Sequence, residues 1–296
     1  MPGHHHPHPR SSRRRLVVAL LITAVWFLVE IIAGVYTNSL ALLADATHML
    51  TDLAALGLSL FALVISSRPA THDKTYGYLR VEILAALANG VFLVVIALYI
   101  SYEALHRFAA PPEVKSQVML MVSVFGLLAN LGAAGVLYRS QHDNLNMRGA
   151  FLHVLADAVG SIGAIGAGLA MVLWQWYLAD PIASLVVSLL VLYSAWQLVR
   201  ESVDILLEAT PSHIDVSSIL DDLGKMPGVL SVHDLHVWSI TSGMPALSGH
   251  VVLREGVDSK QALRDLSRLM REKYRIEHTT IQIEVEDWVR PQGRAG

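Results

Sequence analysis

There is no cysteine anywhere in the chain. That excludes disulfides, thiolate metal ligands and a cysteine nucleophile, so any metal must be held by imidazoles and carboxylates. Charge is scarce as well: 16% of the residues are Asp, Glu, Lys or Arg, whereas an ordinary soluble domain carries roughly a quarter. The net charge of −3 offers no footprint for nucleic acid. Apolar residues fill the gap, at 53% of 296. This is the balance of a membrane protein with a smaller water-soluble part. No cleavable leader is expected, because the first apolar run, 16–36, is long enough to span and lacks a small-residue cleavage site.

Six segments reach the roughly twenty apolar residues that a spanning helix needs: 16–36, 40–66, 81–106, 116–138, 148–174 and 181–206. Turn chemistry marks the breaks. Thr37-Asn38-Ser39 makes a tight hairpin, 68–80 and 141–147 are polar loops, Pro111 and Pro112 stop the third helix, and Asp180-Pro181 opens the sixth. Arg68, Lys74, Arg80, Arg139, Arg148 and Arg200 fall on the same side as the N-terminal arginines, against Arg107 and Lys115 on the other. Both termini are therefore expected in the cytoplasm, with the chain in the inner membrane and Trp174, Trp176 and Tyr177 at the outer interface. Residues 1–15 read as a cytosolic tail. Its His4, His5, His6 and His8 can bind metal loosely, and Arg10, Arg13, Arg14 and Arg15 anchor the first span.

Pro211 ends the apolar region, and composition shifts from about residue 209. Helices are expected at 216–226 and 259–274, and strands at 229–241, 246–253 and 279–286, with a turn at Ser242-Gly243. The fold class is thus an all-α membrane domain, 16–208, followed by a small cytosolic α+β domain, 209–296. Its order is αββαβ, of the ferredoxin or metallochaperone kind, with helices on one sheet face. On the last strand Ile281, Ile283 and Val285 face one way, Gln282 and Glu284 the other.

The chemistry lies inside the apolar helices. His48 and Asp52 are four residues apart on one helix face, and His153 and Asp157 repeat the pattern about a hundred residues later. Ionisable groups at membrane depth are functional by default. Two imidazoles and two carboxylates suit a tetrahedral divalent ion, zinc above all, and leave the loaded site without net charge. Emptying it exposes two carboxylates, for which protons are the simplest replacement. Asp45, one turn before His48, reads either as a carboxylate supporting the ligands and their vestibule or as a solvated group near a helix end. Asn89 and Asn130 suit bonds between helices, and Glu30 has no evident partner. The stripe Gly160, Gly163, Gly166 and Gly168 suits close helix packing.

Several motifs together resemble the cation diffusion facilitator family over nearly the whole length. They are Ala44-Asp45-Ala46-Thr47-His48 leading to Asp52, His153 to Asp157, Tyr76-Gly77-Tyr78-Leu79-Arg80-Val81-Glu82, Val232-His233-Asp234-Leu235-His236-Val237-Trp238, and Thr280-Ile281-Gln282-Ile283-Glu284. The resemblance implies a homodimeric antiporter that exports Zn²⁺ from the cytosol against protons by alternating access, with His48, Asp52, His153 and Asp157 as transport ligands. A His at the first position goes, in such proteins, with zinc over cadmium. A further loop site of the family is expected to be missing, since its positions match Thr71, Lys74 and Tyr78 here. The resemblance also implies zinc binding in the cytosolic domain near a dimer interface, by His236, His250, His278 and Glu284, with His233 as an additional candidate.

An intramembrane metalloenzyme and a metal-gated channel or sensor are the competing classes. His-Glu-x-x-His is absent, and a di-iron centre wants several His-rich boxes or repeated Glu-x-x-His pairs, where this chain offers its two His-x-x-x-Asp motifs. Four protein ligands leave no open position for an activated water, and a filled site in a dry core is a poor conductor. Transport, not catalysis, is the expectation.

Overall fold

The structure, a computed structural model, describes residues 9–66, 71–138 and 145–285. The N-terminal histidines, Arg68 and Arg139 lie outside these ranges. Six long helices come first: α1 Pro9–Thr37, α2 Leu40–Ser66, α3 Val81–Ala109, α4 Ser116–Tyr138, α5 Leu145–Trp174 and α6 Ala179–Leu206. They are followed by α7 Val216–Gly224, β1 Val229–Thr241, β2 Met244–Leu253, α8 Ser259–Tyr274 and β3 His278–Val285. The first helix begins at Pro9 rather than Leu16, so the arginine run forms its opening turns. Proline suits that first position, where its fixed φ is helical and its missing N–H is not needed.

Among the described residues α3, α4 and α6 are long and apolar enough to cross a bilayer, with mean hydropathies of 2.6, 2.0 and 2.0. Among the described residues, α1, α2 and α5 carry apolar stretches at Leu21–Thr37, Leu40–Thr51 and Gly160–Trp174. Large side chains such as Ile32, Val35, Val95, Leu190 and Tyr193 lie exposed along these helices. A helix satisfies its own backbone, so in lipid such a surface is the stable one.

The chain divides into two compact units, residues 1–58 with 88–197 and residues 59–87 with 198–296. Within the first, α4 packs along α5 and α1. A buried cluster gathers Leu42, Met119 and Met171 with the small residues Ala33, Ala167 and Ala179.

The second unit contains the three-stranded sheet, in the order β1-β2-β3, with β1 antiparallel and β3 parallel to β2. Asp215 caps α7 by accepting from Ser217 N, and Asp258 caps α8 by accepting from Lys260 N and Gln261 N. Gly243, at φ 70°, turns β1 into β2. Ile219 and Leu223 of α7 and Leu266 and Met270 of α8 pack with Val237, Leu247, Val251 and Ile283 on one sheet face. His250, Gln282 and Glu284 are thereby left on the other face, since alternate residues of a strand point oppositely.

One feature of β1 departs from simple alternation. His233 pairs with His250 but His236 pairs with Ser248, so two residues, Asp234 and Leu235, stand opposite Gly249 alone. This is a β-bulge, with Asp234 at φ 51°. Gly249 is required by it: a Cβ there would lie 2.8 Å from Leu235 Cδ1. Val232, Leu235 and Val237 all pack against the core, so the inserted residue puts His233 and His236 on the same outer face.

In the first unit a buried acid fixes the start of α2. Asp180, fully buried in the first turn of α6, accepts from Ser39 Oγ at 2.6 Å, Leu40 N at 2.9 Å and Ala41 N at 3.1 Å. It thus satisfies the orphan donors of another helix and complements that helix's positive end. Arg107 of α3 approaches to 4.0 Å while donating to Asn38 O at 2.7 Å and Asn38 Oδ1 at 3.0 Å. Asn38 takes the left-handed turn conformation at φ 59°, which asparagine tolerates. Asp180→Ala strands these donors, and breaking a buried charge pair costs about 3 to 5 kcal/mol. The thermal midpoint of the purified protein in detergent is expected to fall markedly, and less so for Asp180→Asn; an unchanged midpoint for both would remove the acid from this role.

Candidate metal centres

In the membrane part, α2 and α5 bring His48 and Asp157 together, with Nε2 3.4 Å from Oδ1. Asp157 is 6% exposed, and His48 is half-buried. The arrangement follows from two helices facing each other with their polar residues turned inward. Hydroxyls on both helices bond back to their own carbonyls: Thr47 to Leu43 O at 2.8 Å, Thr51 to Thr47 O at 3.2 Å, and Ser161 to Asp157 O at 3.1 Å. Asn130 of α4 donates to Ser161 Oγ at 3.3 Å, so it does bond between helices as expected. Asp52 and His153 lie in α2 and α5, but their side chains fall outside the described residues.

His48, Asp157 and Asp45 line a cavity of about 630 Å³ between α2, α5 and α6. Asp45 thus lies on the wall of this cavity. The glycine stripe needs correction. A Cβ at Gly163 or Gly166 would meet nothing within 4 Å, and one at Gly160 would meet only Asp45 Oδ1 at 3.8 Å. These three line the cavity instead of packing against a helix. Gly168 alone serves close approach, its Cβ position lying 3.2 Å from Leu120 of α4. Sequence gives the same signal for both uses, since small residues leave space whether or not a neighbour fills it.

The cytosolic sheet carries a second group. His233, His250 and Glu284 each offer a ligand atom, all within 4.8 Å of one another. His250 Nδ1 is 2.7 Å from Glu284 Oε1, and His233 Nε2 is 3.5 Å from Glu284 Oε2. One residue from each strand suffices because His233 and His250 are paired across β1 and β2, and Glu284 lies beside them on β3. The bulge residue Asp234 links this group to His236, its Oδ1 lying 3.0 Å from His236 Nε2 and its Oδ2 3.8 Å from His250 Nε2.

His278 is not brought to this group. It pairs with Ala246, four residues along β2 from His250, which in a strand is about 13 Å. Its ring instead meets Tyr76 edge-on, with centroids 5.7 Å apart. The weights given to these residues thus change: His233, the additional candidate, is central, and His278 stands apart. Lys74 lies over the Tyr78 ring, 4.4 Å from its centroid, in the loop where no metal was expected.

A helical membrane part with an intramembrane His/Asp pair, joined to a sheet domain bearing a His₂Glu group, defines a membrane protein that handles divalent cations. The comparisons agree. Residues 16–207 match the cation efflux transmembrane domain and residues 211–286 match the cation efflux protein cytoplasmic domain. The chain belongs to the cation efflux family, and it is a multi-pass membrane transporter, not an enzyme. It is 43% identical over 288 residues to the cadmium, cobalt and zinc/H⁺-K⁺ antiporter of Bacillus velezensis, covering 95% of this chain and 92% of that one. It is likewise 43% identical over 292 residues to the zinc transporter ZitB of Escherichia coli, with 96% and 93% covered. The metal cation efflux system protein CzcD of Cupriavidus metallidurans is 40% identical over 284 residues, with 96% and 90% covered.

The sheet geometry separates its candidates. In the full-length protein, His250→Ala is expected to weaken zinc binding at the cytosolic group by more than about tenfold, and His278→Ala to leave it unchanged. Equilibrium titration with Zn²⁺ reads both, and an equal loss in the two variants would contradict the arrangement.

Proposed function

We propose that this protein exports Zn²⁺ from the cytosol in exchange for protons, by alternating access around a tetrahedral site of His48, Asp52, His153 and Asp157. The single observation that carries the reading is the His48–Asp157 pair, 3.4 Å apart on two facing helices at the wall of a cavity. Two neutral imidazoles and two carboxylates cancel the charge of the ion, which a low-dielectric interior would otherwise reject. The same ligands accept protons when the ion leaves, because metal and proton compete for them. With its pKa near 6.5 when unperturbed, imidazole makes that competition effective around neutral pH. The names of the relatives, zinc transporter and zinc/H⁺-K⁺ antiporter, support both the cargo and its counter-ion.

Six helices cross the inner membrane in this reading, and both termini lie in the cytoplasm. The soluble domain, from about residue 209, joins two copies of the chain. His233, His250 and Glu284 there bind Zn²⁺ from the cytosol, so metal level and dimer geometry are linked.

Purified protein in proteoliposomes is expected to take up zinc in proportion to an imposed pH gradient. Uptake indifferent to the gradient would point to a channel, and no uptake to a sensor. His48→Ala and Asp157→Ala are each expected to abolish uptake while the protein still folds, since ligands are lost and packing is little altered; normal uptake by either would overturn the site. His48→Asp removes one of the two imidazoles that suit zinc and is expected to broaden selectivity toward the larger cadmium ion. Competition between the two ions in the same vesicles measures that selectivity.

A further inference from the structure

The cavity beside the His48–Asp157 pair has a direction. From that pair it extends along α5 and α6 to Ala41, Trp176 and Ala179, at the end where α1 meets α2 and α5 meets α6. In the orientation proposed above this is the outer end, toward which an exported ion leaves. Among the described residues that line it, Asp45 is the charged group nearest to that end.

Helix α2 runs inward from Leu40, so Asp45, three residues before His48, sits one turn nearer the outer end, about 4.5 Å along the axis. Helix α5 runs the other way, and Gly160, three residues after Asp157, is likewise one turn outward. A Cβ at Gly160 would meet only Asp45 Oδ1, at 3.8 Å. The Asp45 carboxylate therefore reaches across from α2 to face α5, one turn outside the pair that meets at 3.4 Å. Glycine leaves it that space. A side chain of any length at 160 would lie against the acid.

An ion cannot exchange protein ligands for apolar space, since an uncompensated charge there is very costly. Each bond to the protein must be replaced as it is lost, and zinc tolerates a fifth ligand in passing. A carboxylate one turn along the exit supplies such a bond. Its negative charge also holds a partly hydrated cation near the ligands while water gathers.

We infer that Asp45 is a transfer ligand for release, which takes the departing ion before water completes its shell and is not a ligand of the loaded site. The inference rests on the zinc export proposed above. One metal–oxygen bond forms at Asp45 as one bond to a transport ligand breaks, and the count at the metal returns to four. Such a group lowers the barrier from both directions. It speeds entry and loss of zinc alike and leaves the affinity of the loaded site unchanged.

The parent for the test is the full-length protein with His4→Ala, His5→Ala, His6→Ala, His8→Ala, His233→Ala and His250→Ala, so that zinc loads the membrane site alone. Equilibrium titration reads its zinc affinity, and rapid mixing with a chelator reads the rate of zinc loss. Uptake in proteoliposomes under a fixed pH gradient reads the maximal rate. Asp45→Asn keeps the shape and removes the charge. It is expected to keep the affinity while zinc loss and maximal uptake each fall about tenfold, and Asp45→Glu to restore most of both rates. Gly160→Leu keeps the acid but covers it, and is expected to slow the same two rates. Parent rates in Asp45→Asn would overturn the inference. So would a weaker affinity with faster zinc loss, which would make Asp45 a ligand of the loaded site. If Asp45→Asn is not recovered folded, Gly160→Leu decides, and parent rates there overturn the inference. A parent that binds zinc but moves none defeats the export reading and this role with it. A parent that transports, with variants at its own rates, defeats the role of Asp45 alone.

Discussion

A bare charge is nearly prohibited at bilayer depth, and the polar side chains of α1 to α6 are arranged around that prohibition. Three acids of the first unit are each met from another residue or another helix. Asp157 faces His48, Asp180 takes up the open N–H groups of α2, and Glu30 receives the indole of Trp26. Apolar burial contributes little to helix association when the surrounding lipid is equally apolar. The contacts of Asp157 and Asp180 therefore help to fix which helices lie together.

Much of this was readable from one chain. The helix limits of α2 and α4 fall where the apolar runs and turn residues put them, because span length and proline or glycine breaks are local properties. The αββαβ order and the outward face of His250 and Glu284 followed from period-two alternation. The four residues proposed as transport ligands were legible as a repeated spacing; His48 and Asp157 meet in the structure, while the side chains of Asp52 and His153 fall outside the described residues.

What was not readable depends on distant partners or on a single backbone irregularity. Asp180 looked like a helix opener; its bonds reach residues some 140 positions earlier. The bulge at Asp234 turns on one left-handed residue and one glycine on the neighbouring strand, so the shared outer face of His233 and His236 is not legible from strict alternation. His278 shares a strand with Glu284 but lies too far along it to join the group, and the strand pairing decides that. A stripe of glycines reads alike whether a helix packs on it or a space opens beside it.

That open space has a consequence of its own. Among the described residues, the wall of the cavity beyond Asp45, His48 and Asp157 is aliphatic or aromatic. An ion crossing that space would meet few polar atoms of the protein and would depend on water for its shell. So smooth a chamber can also dry out, because water held by few polar atoms is easily lost.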